Sequence, residues 1–165
     1  MNRTAIRTTG FAVAVLVVLA DQASKRLVLD LVAQHVPPVI RVTGFFNLVQ
    51  VWNTGVSFGL FQEDTTLRSL ILIGVAVAVM LWLGIWLWRS RSWLAGFALG
   101  GIIGGALGNI LDRWQHGAVY DFLDFHAAGW HWPAFNLADS AIVVGVALLL
   151  LDGYRPRRPD GATGA

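Results

Sequence analysis

The sequence predicts an all-α membrane protein with a small β element. It has four spanning helices, both termini on the cytoplasmic side, and a small sheet at the outer surface. Three observations predict this. Charged residues make up 13% of the chain and hydrophobic ones 56%, whereas a soluble domain carries about 25% charge. Residues 69–88 and 93–111 contain no charge, and each run suits the roughly 20 residues of a spanning helix. The Lys and Arg residues cluster in short segments beside apolar runs, the pattern that sets membrane orientation. A disordered chain would be poor in apolar residues. A soluble globule of 165 residues would have to hide more apolar surface than its volume allows.

The first span is expected at about 8–29. It is interrupted by Asp21, Lys25 and Arg26. Arg3 and Arg7, followed by an apolar stretch and then Ala20 and Ala23, resemble a secretory signal. The A-x-A cleavage pattern is missing and three more spans follow, so this segment reads as a retained helix. The second and third spans are expected at 69–88 and 93–111, joined by a tight turn that carries Arg89 and Arg91. The fourth is expected at 135–151, with Asp139 one turn from its start. Arg155, Arg157 and Arg158 follow it. With an even number of spans, these arginine clusters fall on the same side as Arg3 and Arg7, and that side is cytoplasmic. Trp82, Trp86, Trp88 and Trp93 bracket the tight turn, and Trp130 and Trp132 precede the fourth span. Both sets suit interfacial belts.

Two outer loops remain, about 30–68 and 112–134. After Pro37-Pro38, the first is β-branched and aromatic with partial alternation, and Gly44 interrupts it. It reads as a pair of strands. Asn53-Thr54-Gly55 and Gly59 then mark turns. Residues 1–154 therefore form one integral membrane domain. The tail 155–165, rich in Pro, Gly and Arg, is expected to be disordered on the cytoplasmic side.

A charge at bilayer depth costs about 2.5–3.5 kcal/mol on insertion scales. Asp21 and Lys25, four apart on one helical face, can pair. Asn109, Asp112 and Arg113 end span three, Asn136 and Asp139 begin span four, and Asp121 and Asp124 lie in the loop between. All of these fall at one level, just inside the outer surface. Asp139 can approach either Asp121 or Asp124. Two carboxylates in a partly dry site share a proton and divide into acid and base, which is what water-mediated peptide hydrolysis requires. Asn109 and Arg113 present an amide and a cation on one helix face. They would hold substrate carbonyls, or Arg113 would pair with Asp112 or Asp124. The glycines 100, 101, 104, 105 and 108 permit close helix packing or leave room for a substrate chain. His35, His116, His126 and His131 show no ligand spacing, so no metal is expected. Cysteine is absent, which removes disulfides and a thiol nucleophile. The scarce basic residues read as topology signals and not as a nucleic-acid surface.

Two other functions fit parts of the chain. Gly55-Val-Ser57-Phe-Gly59 matches the G-x-S-x-G pattern of serine hydrolases with Ser57 as nucleophile, but a strand–turn–helix elbow is not evident. A non-enzymatic transporter or proton channel could use the same carboxylates, yet the inner halves of the spans are almost purely apolar.

Five blocks together resemble the bacterial prolipoprotein signal peptidases, the signal peptidase II family. They are Asp21-Gln-Ala-Ser-Lys25, Asn53-Thr-Gly-Val-Ser-Phe-Gly59, Gly104-Gly-Ala-Leu-Gly-Asn-Ile-Leu-Asp-Arg113, Gly117-Ala-Val-Tyr-Asp-Phe-Leu-Asp-Phe125 and Trp132-Pro-Ala-Phe-Asn-Leu-Ala-Asp-Ser140. The resemblance covers the chain from Asp21 to Ser140. It implies a cofactor-free aspartic endopeptidase of the bacterial inner membrane with its active site near the periplasmic surface. Such an enzyme cuts the signal peptide from a diacylglyceryl-modified prolipoprotein, just before the lipidated cysteine. Carried over residue by residue, it makes Asp121 and Asp139 the catalytic dyad. Asn53, Gly105, Asn109, Arg113, Asn136 and Ala138 match substrate-site positions, and Asp21 and Lys25 match supporting ones. It also implies that the sheet is a periplasmic cradle in the first outer loop, resting on membrane lipid, and that Ser57 is part of a loop. Nothing in the residues demands more than a monomer.

Overall fold

The computed structural model describes residues 2–55 and 65–154. The Ser57 motif and the tail 155–165 lie outside them. Four helices are long and apolar enough to cross a membrane: α1 (Arg3–Val32), α2 (Thr65–Arg89), α3 (Trp93–His116) and α4 (Leu137–Tyr154). All four expected spans are present. All four run further than their clean apolar stretches. Helix α1 continues through Asp21 and Lys25, and α3 passes Asp112 and Arg113 to reach His116. The apolar-run criterion ends a span at its first charge. Here Asp21, Lys25 and Asp112 satisfy one another across α1 and α3, so the backbone has no reason to stop. At 30 residues, α1 is about 45 Å long at 1.5 Å per residue.

Local chemistry sets the ends. The Asn2 side chain caps α1 by accepting from the N–H groups of Thr4 and Ala5. The Ser92 hydroxyl accepts from Ala95 N–H at the start of α3. Gly117, at φ 72°, closes α3 in the left-handed region, its N–H bonding back to the Arg113 carbonyl. That conformation suits a residue without Cβ.

Helix α3 is the hub. Its most apolar window is 61% buried, against 6% for that of α2, and it packs on all three other helices. The glycines make this possible. A Cβ at Gly104 would lie 2.6 Å from the Ala14 carbonyl oxygen of α1, and one at Gly105 would strike the Ala138 carbonyl of α4. Of the two roles these glycines suit, close packing is the one they take at these positions. On the far side, Leu83 of α2 packs with Ala95, Leu99 and Ile102 of α3.

The helix termini sort into two ends. At one, Arg7 of α1 donates to the Trp88 carbonyl of α2 at 3.0 Å and its guanidinium lies 3.9 Å from the Trp88 ring centroid. Ser92 of α3 donates to Asp152 of α4 at the same end. The indoles of Trp82, Trp86, Trp88 and Trp93 are exposed there. The sheet sits at the other end.

The sheet is antiparallel, in the order β1 (Val39–Arg41), β2 (Phe46–Asn53), β3 (Val119–Ala127), β4 (Trp130–His131). Gly44 lies in the turn between β1 and β2, as expected. One expectation needs correction: the sheet does not belong to the first outer loop alone. Strands β3 and β4 come from residues 112–134, which read as a plain connection. Asp121 and Asp124 interrupt the apolar pattern of Val119-Tyr-Asp-Phe-Leu-Asp-Phe125 and conceal the strand. In the fold both aspartates are buried with partners. Tyr120 and Phe122 pack on Val28 and Val32 at the end of α1, which seats the sheet on the helical bundle.

Candidate active site

The strands deliver the first carboxylate. Asp121 and Asp124 are three apart in β3, so they face opposite sides of the sheet. Their partners in β2, Asn53 and Asn47, are six apart and would share a face in a regular strand. A register shift between Leu48 and Val51 inserts the extra residue that turns one of them over. Asn47 then donates to Asp124 at 2.8 Å, and Asn53 donates to Asp121 at 2.9 Å. His131 Nδ1 lies 2.8 Å from the second Asp124 oxygen. Burial works against ionisation of Asp124, but these hydrogen bonds outweigh it and hold its carboxyl below the usual range. Asp124 is thus occupied within the sheet, and Asp121 is the one turned towards α4.

The helix N-terminus delivers the second carboxylate. Asn136, which the hydropathy pattern places inside span four, instead precedes α4 and caps it. Its Oδ1 accepts from Asp139 N–H at 2.9 Å, while Asp139 Oδ2 accepts from Asn136 N–H at 3.3 Å. This reciprocal pairing is a capping box with Asn and Asp. The fully buried Asn136 amide then reaches across to Asp121 Oδ1 at 2.7 Å. Asn109 of α3 donates to Asp139 Oδ1 at 2.8 Å. The two aspartates, from β3 and α4, are therefore linked through one asparagine.

Their surroundings differ. Asp121 is 1% exposed. Burial pushes its carboxyl up to about 6, the Asn53 hydrogen bond works against that rise, and the charge of Asp139 adds to it. Asp139, Asn109 and Arg113 are half-buried, and Asn53 is exposed, so the site opens on their side. Arg113 donates to the Asn109 carbonyl at 3.4 Å. It forms no ion pair with Asp112 or Asp124 among the described residues, because those carboxylates are taken by Lys25 and His131. Its buried Nε has no hydrogen-bond partner among the described residues.

Beneath the pair lies a second layer of charge. Lys25 Nζ is 2.9 Å from Asp21 and 2.9 Å from Asp112, and it donates to Asn109 at 3.2 Å. The Asp21–Lys25 pairing expected from their spacing is present. Gly108 makes room for it, since a Cβ there would lie 2.5 Å from Asp21 Oδ2. Gly105 and Ala138 form the close contact between α3 and α4 just behind Asp139. All the expected site residues thus gather at the sheet end of the bundle. Two further participants, Gln22 and Asp112, were not among them. Gln22 donates to Asp21, to the Gly108 carbonyl and to Asp112. Asp112 is one of the charges that the sequence gathers at the outer level, and its position three residues after Asn109 puts it on the same helical face.

The chain is similar to known proteins over most of its length. The sequence profile described as Signal peptidase (SPase) II matches residues 13–155. A lipoprotein signal peptidase of Methylobacterium sp. (strain 4-46) is 46% identical over 162 residues, covering 92% of this chain and 96% of its own length. One from Vibrio cholerae serotype O1 is 40% identical over 148 residues, covering 88% of this chain and 86% of its own. A bacterial membrane enzyme solved by the in meso method at 1.9 Å superposes with a TM-score of 0.76 at 25% identity, over 91% of this chain and 95% of that one. The match spans all four helices, both sheet-forming segments and every residue of the buried polar cluster. On that extent of agreement the chain belongs to the signal peptidase II family of proteases.

Proposed function

We propose that this protein is an aspartic endopeptidase that removes the signal peptide from diacylglyceryl-modified prolipoproteins, cutting just before the lipidated cysteine. The observation that carries the reading is the convergence of Asp121 and Asp139 on Asn136, each carboxylate also held by a second asparagine. The family supports the substrate: its relatives are lipoprotein signal peptidases.

The chemistry follows from the geometry. Burial, with the Asp139 charge adding to it, raises the Asp121 carboxyl to about 6, so Asp121 keeps its proton until just below neutrality. The ionised member takes a proton from water, and the resulting hydroxide attacks the scissile carbonyl. The protonated member donates to that carbonyl oxygen, and a proton passes to the leaving amine as the tetrahedral intermediate collapses. Asn53, Asn109 and Asn136 keep both side chains oriented without adding charge. The Arg113 cation at the open side stabilises negative charge developing on the substrate.

The arginines support the orientation. Arg3, Arg7, Arg89 and Arg91 belong to the end remote from the sheet, which makes that end cytoplasmic and the site periplasmic in a bacterial inner membrane. The exposed Trp130 and Trp132 and the sheet then lie at the outer lipid surface as a cradle. The direct test is cleavage of a diacylglyceryl-modified precursor peptide by Asp121→Asn and Asp139→Asn variants. Both are expected to lose turnover by about 10²–10⁴-fold or more. Near-normal turnover in either removes the dyad.

A further inference from the structure

Each proposed catalytic aspartate is preceded by a backbone N–H that a buried carboxylate accepts. Tyr120 N–H, before Asp121, donates to Asp112 Oδ2 at 3.0 Å. Ala138 N–H, before Asp139, donates to Asp21 Oδ1 at 3.0 Å. Asp112 comes from α3 and Asp21 from α1, and they are 4% and 0% exposed. One cation joins them, Lys25 Nζ, at 2.9 Å from each. Gln22 makes a second bridge, to Asp21 at 3.2 Å and to Asp112 at 2.8 Å. Lys25 also holds Asn109, which holds Asp139.

A buried ion pair needs only its own partners and hydrogen bonds to offset desolvation. Here the remaining acceptor capacity of the two carboxylates is spent at two matched points, one residue ahead of each dyad member. The first, Tyr120, belongs to a strand, and the second, Ala138, to the first turn of a helix, where the N–H has no intrahelical acceptor. At the front, β3 meets the residues that lead into α4 directly, through Asn136 and the Leu123–Phe135 bridge. Behind them a second connection passes through α1 and α3, and its two arms meet at Lys25.

We propose that Asp21–Lys25–Asp112 is a two-armed tether that sets the spacing of the Asp121 and Asp139 carboxylates, which makes Asp112 a positioning residue for the reaction. This rests on the dyad reading above. Asp112 lies behind the pair, and Lys25, Gln22 and Tyr120 N–H fill its contacts. Its loss therefore acts on the geometry of the reacting groups and not on substrate binding. A misplacement of about 1 Å costs on the order of 10²-fold in rate, and such a loss appears in kcat and not in KM.

The test uses the full-length protein in detergent–lipid micelles and a diacylglyceryl-modified precursor peptide. Rates are normalised to the folded fraction from thermal unfolding. Asp112→Ala is expected to lower kcat by about 30–100-fold with KM within about twofold of wild type. Asp112→Asn, which keeps an oxygen for Tyr120 N–H, is expected to recover about tenfold of that loss. Should Asp112→Ala not fold, Asp112→Ser carries the measurement. Its hydroxyl falls short of the Oδ2 position that meets both Lys25 and the Tyr120 amide, and the same kcat loss is expected. The tether is overturned by wild-type kcat in the folded Ala or Ser variant, by a loss confined to KM, or by an Asn variant no better than Ala. Asp121→Asn, assayed in parallel, separates the two ideas. If it turns over normally the dyad fails; if it is inactive while Asp112→Ala keeps its kcat, the tether alone fails.

Discussion

The two ends of the helical bundle handle charge in opposite ways. At the arginine end, Arg3, Arg89 and Arg91 lie at the surface, and Arg7 is satisfied by one carbonyl and one indole face. The contacts of Arg7 come from the single residue Trp88. At the sheet end, Asp21, Lys25, Asp112 and Asp121 are all less than 5% exposed, and every one has at least two polar partners drawn from different elements. Charge at the first end stays at the surface, and we propose that it orients the chain in a membrane. Charge at the second is assembled at a desolvation cost that only a shared, fully connected network offsets.

The difference predicts a gradient of sensitivity. The largest effect on stability belongs to Lys25→Met. It leaves Asp21 and Asp112 buried without their cation, and removing one partner of a buried pair costs about 3–5 kcal/mol. Denaturant or thermal unfolding in micelles checks this, and a loss under 1 kcal/mol would mean that the cluster is solvated and the contrast between the ends is false.

Next comes a pH effect. Folding raises the Asp121 carboxyl from 3.8 to about 6. The folded chain therefore holds that proton more tightly than the unfolded one. The contribution favours the fold below pH 3.8 and is lost as pH rises through about 6, by up to about 3 kcal/mol. Wild-type stability should fall relative to Asp121→Asn between pH 4 and pH 7. Parallel curves for the two proteins across that window would contradict it.

A smaller contrast separates two glycines. Alanine at Gly108 must displace Asp21, and overpacking of that kind costs about 1–3 kcal/mol. A Cβ at Gly84, in α2 towards the arginine end, meets nothing within 4 Å. Gly84→Ala should lie within about 1 kcal/mol of wild type, on the stabilising side. The same unfolding assay ranks the pair. The smallest effect belongs to Arg7→Ala, where one exposed cation–π contact is worth about 0.5–1 kcal/mol. Precursor cleavage by this variant should stay near the wild-type rate, and an activity loss of tenfold or more would show that the ends are coupled.

The helices were legible in the residues because a membrane span is a one-dimensional feature. The run 69–88 needs only its own apolar side chains to declare itself, and Asp21 and Lys25 declare their pairing through helical spacing alone. Strand β3 was not legible. Its two aspartates break the apolar pattern, and what makes them tolerable in a buried strand is Asn47, Asn53 and Asn136, none of which adjoins them in sequence. The helix limits failed for the same reason: α3 runs past Asp112 because Lys25, 87 positions earlier in the chain, neutralises it.

Asp121 and Asp124 show where that boundary falls. Composition and charge placement were sufficient for four spans, for their orientation as a proposal, and for a level at which polar groups collect. The family blocks then favoured Asp121 by resemblance. Spacing alone left both aspartates open, since parity says only that they face opposite ways. The register shift in β2 sends Asn47 to one and Asn53 to the other, while the cap of α4 brings Asp139 to the Asn53 side. Hydropathy and helical spacing depend on near neighbours and can be read along the chain. Which carboxylate meets which depends on strand register and helix packing, and these exist only once distant segments have come together.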